Sequence, residues 1–341
     1  MTLYNVKDCA REILKRERII ILIHANPDGD CIGSGAALAQ ILINCGRSVR
    51  LVCPHILPER LAFICDGLSE RELCFGETVE EDFSADYVVS ADVASPELLG
   101  KTRELYEGKI NICIDHHMIN SMSADAIWRD SGASACGEMI LELCDEISRL
   151  TNMQLLTQSV ANKLYAAISS DSGSFKYGNT TAKTLLYASR LKSVGADSER
   201  ISRRMFETKS LAQFKLTGLV IPKTEFLCEG RLAYCLLLED ELSCCGATKE
   251  DCEGITQIFR EVDGVELSIF AKQHIDCETG ENCIKMSLRS NQAVNCASIC
   301  ESFGGGGHFK AAGCTIKGES NERARQMILE RAMSELQGLK A

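Results

Sequence analysis

The stretch IIILIHANPDGDCIGS, residues 19–34, runs five apolar residues directly into a histidine and two aspartates. A continuous Ile/Leu run bounded by turn residues reads as a strand covered on both faces, the pattern of a parallel sheet. Ligands and chemistry in open α/β sheets collect beyond the carboxyl ends of such strands. His24, Asp28 and Asp30 therefore stand where a site is expected.

Working outward, the spacing predicts a helix over 6–16, a helix over 34–44 and a strand over 49–52, a βαβ arrangement around the opening stretch. Two further strands are predicted in YVVSAD, residues 87–92, and INICIDHH, residues 110–117; each again ends in acids or histidines. A helix starting near residue 160, with Val160, Leu164, Ala167 and Ile168 on one face, breaks at SDSGSF and leaves Asp171 at its edge. Helical segments over 181–191 and 198–217 then lead to short strands over 232–238, 265–271 and 284–289. The expected fold class is α/β with two lobes. An N-terminal parallel-sheet domain spans 1–190, a helical linker 191–215, and a smaller α/β domain with a glycine-rich loop 216–341.

Composition narrows the function. The chain has 341 residues, a hydrophobic fraction of 45% and a formal charge of −11, so disorder is disfavoured and no general basic surface is expected for long nucleic acid. Small substrates are favoured, and nucleotides among them need local neutralisation. Charged residues precede only five apolar ones near the N-terminus, too few for a signal peptide or a membrane span, so a cytoplasmic protein with no membrane association is expected. The 19 cysteines are scattered through apolar runs and form no paired C-x-x-C ribbon, which fits buried thiols in a reducing compartment.

His24, Asp28, Asp30, Asp92, Asp115, His116, His117 and Asp171 recur at element ends. Alone, a histidine after a strand is a polar cap and DGD is a turn. Together, five carboxylates at such positions repel one another unless cations neutralise them. Mixed imidazole and carboxylate donors suit manganese, iron, cobalt or zinc, and two cations sharing one carboxylate form a clamp for phosphoryl displacement. In FGGGGHFKAAG, residues 303–313, the glycines allow close backbone approach, and N–H groups before a helix can cradle an anion. A glycine run alone reads as a linker; His308 and KAAG argue for a shaped loop. Arg289, at the end of KMSLRS, is either a surface arginine or a phosphate fork.

The segments HANPDGDCIGS, SADVASPELLG, CIDHHMIN, SDSGSFKYGNTT and RSNQAVNCASICESFGGGGHFKAAG, taken in order, resemble the DHH phosphoesterases that carry a DHH-associated C-terminal domain, most closely the stand-alone oligoribonucleases or nanoRNases. The resemblance implies a dinuclear manganese centre in the first lobe and substrate recognition in the second. It implies that His24 and Asp28 bind one metal, that Asp30, His116 and Asp171 bind the other, and that Asp92 bridges them. It further implies that Asp115 supports or joins this shell and that His117 contacts the scissile phosphate. Catalysis would thus rest on Asp92, Asp115, His116 and His117. Arg289, Gly304, Gly305, Gly306, Gly307 and His308 would hold the substrate's terminal phosphate or nucleotide. Leu98 departs from the arginine that family members often carry before the leucine of LG in the second motif, which touches a secondary phosphate contact and no metal ligand.

The implied activity is hydrolysis of very short RNA and linear dinucleotides such as pApA and pGpG to mononucleotides, with removal of the 3′-phosphate of adenosine 3′,5′-bisphosphate in some relatives. A cyclic-dinucleotide phosphodiesterase is a close alternative, and a non-catalytic nucleotide-binding protein an alternative from another class. RecJ-type exonucleases are disfavoured by the acidic charge, and manganese pyrophosphatases by the absence of their basic Arg-Lys-Lys type motif. A homodimer is left open.

Overall fold

In the computed structural model, which describes residues 1–76, 83–252, 254–291 and 293–338, the opening apolar run forms the strand Arg18–Leu22 (β2). Ile19 and Ile21 enter one hydrophobic layer and Ile20 and Leu22 the other, as the two-residue period of a doubly covered strand requires. The strand is central in a seven-stranded, all-parallel sheet with Thr2–Leu3 (β1), Ser48–Cys53 (β3), Leu73–Phe75 (β4), Tyr87–Ala91 (β5), Ile112–Asp115 (β6) and Ala126–Arg129 (β7). The order is β1-β7-β6-β5-β2-β3-β4. It reverses between β2 and β5, which pair from Ile19↔Tyr87 to Leu22↔Ser90. A crevice at the carboxyl ends of these two strands follows from that reversal.

Helices α1 (Val6–Leu14), α2 (Gly29–Asn44), α5 (Cys136–Thr151) and α6 (Gln158–Asp171) cover one face of the sheet. Two short helices, α3 (Glu59–Ala62) and α4 (Arg103–Tyr106), sit in connections. Beyond α6 come α7 (Ala182–Ser193) and α8 (Ser198–Ser202). The helix expected over 34–44 begins five residues earlier. Asp28 is its N-cap, accepting a hydrogen bond from the Cys31 amide at 3.0 Å, and the poor helix propensity of its two leading glycines is overridden by packing. A Cβ on Gly33 would fall 2.5 Å from the Lys163 carbonyl oxygen, and one on Gly29 2.6 Å from Ser170 Oγ. These contacts run α2 and α6 antiparallel and bring the end of α6, Asp171, beside the first turn of α2.

The chain divides into compact units at Met1–Thr208 and Lys209–Ala341. The expected 198–217 helix is two helices: a π-helical turn, Arg203–Glu207, follows α8, and α9 (Leu211–Lys223) opens the second unit. Residues 191–215 are thus shared between the units. The second unit holds a six-stranded mixed sheet in the order β12-β13-β11-β10-β9-β8, made of Glu225–Leu227 (β8), Leu232–Leu237 (β9), Leu267–Ile275 (β10), Asn282–Ser290 (β11), Gly306–His308 (β12) and Ala311–Lys317 (β13). Its helices α10 (Glu239–Cys244), α11 (Ile255–Arg260), α12 (Cys296–Glu301) and α13 (Asn321–Gly338) help enclose two cores, one on each sheet face.

Most cysteines are buried in these cores, consistent with small hydrophobes. Among the described residues no helix is long and apolar enough to cross a membrane.

Candidate metal centre

Each strand that meets the crevice delivers polar cargo. His24 follows β2, Asp92 follows β5, Asp115 closes β6, and His116 and His117 come directly after it. Asp28 and Asp30 enter on the first turn of α2, and Asp171 on the last turn of α6. All eight residues anticipated in the first unit therefore gather at one end of one sheet.

The distances show how they face one another. His116 Nε2 lies 3.2 Å from Asp171 Oδ2, 3.6 Å from Asp30 Oδ2 and 3.6 Å from Asp92 Oδ1. His24 Nε2 lies 3.8 Å from Asp28 Oδ1 and 3.9 Å from Asp92 Oδ2. The two oxygens of Asp92 thus address two different donor sets. Donors bound about 2.1 Å from one cation sit about 3.0–3.5 Å apart, so these separations are close to the edges of a coordination shell.

Two observations test whether the residues fit a metal. Asp92 is almost fully buried, yet among the described residues its Oδ1 has no hydrogen-bond partner, and the buried Nε2 of His116 has none either. Buried polar atoms in this state are costly, and a shared cation resolves both. Asp92 also adopts φ 61°, a left-handed backbone that non-glycine residues rarely take and that clusters at functional sites. Asp28 is the exposed member, its side chain 53% accessible.

Electrostatics agree with the geometry. Burial, then the neighbouring carboxylates led by Asp171, pushes Asp30 up to about 8. Burial and the carboxylates of Asp30, Asp28, Asp171 and Asp115 raise Asp92 well above the usual carboxylate range. Burial alone would lower His116, but the Asp171 contact and the Asp30 charge outweigh it and bring it to about 9. Burial lowers His24. The protein has concentrated negative charge that only protons or cations can neutralise.

Supporting hydrogen bonds orient the donors. Asp30 accepts from the Cys136 amide at 2.6 Å, the Gly137 amide at 2.9 Å and the Ser34 hydroxyl at 2.9 Å, placing it on the N-terminus of α5. His116 Nδ1 is 3.2 Å from the Ala133 carbonyl, which directs Nε2 into the carboxylates. Asp115, fully buried, pairs with His117 Nδ1 at 2.8 Å and accepts from Asn120 Nδ2 at 2.6 Å. Although its burial opposes ionisation, these two bonds hold its carboxyl below the usual range, and they raise the His117 imidazole in return. Asp115 serves His117 more directly than it serves the His24 and His116 donor sets.

Sequence reading missed Cys31, whose sulfur clusters with donor atoms of His24 and Asp92, and Asn120. Cys31 directly follows DGD, a signal that was available. Asn120 had none beyond its nearness to DHH.

In the second unit Arg289 lies in β11, opposite Ser268 and Ala311, and its Nη1 donates to the Leu288 carbonyl at 2.9 Å. The glycine run corrects an expectation: it follows helix α12 and enters a strand, where a run leading into a helix was anticipated. The Gly304 and Gly305 amides donate to the Glu301 and Cys300 carbonyls, which end that helix, so they are already engaged. Gly305 is required by contact, since a Cβ there would sit 2.3 Å from the Gly313 carbonyl oxygen. Gly306 is open, Gly307 crosses Ala312 closely at φ 145°, and the His308 backbone pairs with Ala311. The side chain of His308 lies outside what the structure describes.

This sheet with acids and imidazoles at its switch point belongs to the DHH family: the DHH family N-terminal domain matches residues 18–168 and the DHHA1 domain residues 242–334. The chain is a hydrolase of this metal-dependent phosphoesterase class. The bifunctional oligoribonuclease and PAP phosphatase NrnA of Thermus thermophilus is 29% identical over 327 residues, covering 95% of this chain and 93% of that protein. Its namesake in Bacillus subtilis is 29% identical over 310 residues, 90% and 91% of the two chains. Among solved structures, an exopolyphosphatase-related protein from Bacteroides fragilis shares the fold with a TM-score of 0.87 at 23% identity, over 98% of this chain and 97% of that one.

Proposed function

We propose that this chain is a manganese-dependent hydrolase that converts very short oligoribonucleotides and linear dinucleotides such as pApA and pGpG to mononucleotides, and that it also removes the 3′-phosphate of adenosine 3′,5′-bisphosphate. The observation that carries the reading is Asp92, whose separate oxygens face His24 on one side and His116 on the other. The near-complete coverage by NrnA relatives supports the substrate class.

In this reading His24 and Asp28 hold one cation, Asp30, His116 and Asp171 the other, and Asp92 bridges. The cations supply Lewis-acid charge and make hydroxide available near neutral pH. Asp115 accepts from His117 Nδ1 and favours the imidazolium, so that the Nε2–H can donate to a phosphate oxygen. Asn120 holds Asp115 in place. Arg289 and the end of the glycine run, from Gly306 to His308, recognise the terminal phosphate. The net charge of −11 offers no basic track beyond a few nucleotides, so selection acts on the chain end.

Initial rates on a ladder of 5′-phosphorylated RNA at two ionic strengths, beside pApA, pGpG, adenosine bisphosphate and cyclic di-AMP, test this. Rates should fall steeply from dinucleotide to ten nucleotides, with the gap narrowing as salt rises. Equal or rising rates with length would overturn the short-substrate reading, and cyclic di-AMP outpacing pApA would favour a cyclic-dinucleotide phosphodiesterase.

A further inference from the structure

We infer that Asn179, with Ser134 and Thr184 behind it, fixes the spacing between His116 and Asp171 and thereby sets the affinity of the cation position these two share. The inference rests on the metal site proposed above. Asn179 lies eight residues beyond Asp171, across a turn in which Gly173, Ser174 and Phe175 take φ values of 55°, 58° and 65°. Three successive left-handed residues, two of them not glycine, persist only where surrounding contacts hold them.

Asn179 supplies such a contact. Its Nδ2 donates to the Asp171 carbonyl at 3.1 Å and to the Ser134 carbonyl at 3.1 Å, so both amide hydrogens are spent on two segments far apart in sequence. The residue before Ser134 is Ala133, whose carbonyl is the partner of His116 Nδ1 at 3.2 Å. One amide group therefore links the backbone that carries Asp171 to the backbone that aims His116.

The far side of the link is rigid. Ser134 Oγ donates to Glu138 Oε1 at 2.6 Å and accepts from Thr184 Oγ1 at 3.1 Å. Thr184 Oγ1 in turn accepts from the Thr181 amide at 3.0 Å. Ser134, Glu138 and Thr184 are all buried, and Glu138 Oε2 has no hydrogen-bond partner among the described residues. A buried, half-satisfied carboxylate stabilises a fold poorly, whereas a polar network fixes positions well. These are positioning residues that act through His116 and Asp171.

The test is calorimetric titration of the metal-stripped full-length protein with Mn²⁺, alongside thermal melting. Wild type should bind two ions. Asn179→Ala should weaken one site by about 10–100-fold, the usual cost of losing an outer-shell partner, while the other site and the melting temperature stay nearly unchanged. Thr184→Val, an isosteric change, should weaken the same site by a smaller factor and serves if the first variant does not fold. Unchanged affinities in both variants would overturn the inference, as would equal weakening of both sites with a large loss of thermal stability. Wild type binding no ion would instead overturn the metal reading itself.

Discussion

The two sheets treat the ends of their strands in opposite ways. At the carboxyl ends of β2, β5 and β6, the first unit gathers more acidic charge than its own groups balance: Asp92 is buried and left-handed, and among the described residues one of its oxygens has no hydrogen-bond partner. The second unit, where its glycine run joins β12, satisfies its backbone almost to excess, with Gly304 and Gly305 closing α12 and Gly305 pressed against Gly313. Unsatisfied groups in a well-packed fold mark where something else must bind, whereas satisfied close contacts mark where shape alone is being held. By that contrast the unmet charge that the proposed chemistry needs lies in the first unit, and the contacts at the glycine run of the second hold shape.

The largest effect should come from breaking the first side of the contrast. Asp92→Asn keeps a residue that tolerates left-handed backbone but removes the charge that both donor sets face. Hydrolysis should fall at least about 10³-fold, equivalent to about 4 kcal/mol of barrier, while the metal-free protein melts at an equal or higher temperature because a repelling charge is gone. Metal analysis showing two retained cations with wild-type turnover would sink the assignment.

Much of this site was legible because its signals are local. The apolar run of β2 and the acids at three strand ends are written in consecutive residues. The start of α2 was not, because GDCIGS lacks strong helix formers and becomes helical only where Gly29 and Gly33 let α6 approach. The strand β7, four residues of AIWR, is too short to show a period. Ser134 carries no sequence signal, and Asn179, although it lies within SDSGSFKYGNTT, does not reveal its partner there, since a hydrogen bond across 45 residues exists only after folding. Within the glycine run, which residue meets solvent and which meets a carbonyl was not legible, because that depends on the strand packed against it.

The second side of the contrast breaks with one methyl group. Gly305→Ala forces a Cβ within 2.3 Å of one backbone oxygen and 2.6 Å of Cys314 Cβ, neither of which is the end of a flexible chain. Overpacking of this kind costs about 1–3 kcal/mol. Gly306→Ala meets nothing within 4 Å and should be nearly neutral. Differential scanning calorimetry of the pair checks this, with Mn²⁺ affinity expected unchanged in both; equal melting temperatures would show that the loop is looser than its contacts imply.

The smallest effect is a slope with pH, and its sign separates the units. In metal-free protein the folded state raises Asp30 to about 8, Asp92 well above the carboxylate range and His116 to about 9. A group raised on folding stabilises the fold below its unfolded pKa, about 4 for an aspartate and 6.5 for a histidine, and that contribution disappears as pH climbs through the folded value. Stability should therefore decline between about pH 4 and 9. His117 is raised as well, and His24, lowered by burial, opposes this below pH 6.5 as one group against four. In the second unit the shifted carboxylates Glu241, Asp251 and Asp276 are lowered, so their contributions change only in acid and leave the neutral range flat. With chelator present, the unfolding midpoint should be higher at pH 5 than at pH 8.5 by a few degrees, at about 2–4 °C per kcal/mol for a unit of this size. Excess Mn²⁺ should reverse the slope, because its ligands must lose their protons before they bind. A chelated protein more stable at pH 8.5, or a slope indifferent to manganese, would mean that the buried acids of the first unit are compensated from within, and the contrast between the two sheets would no longer point to a metal.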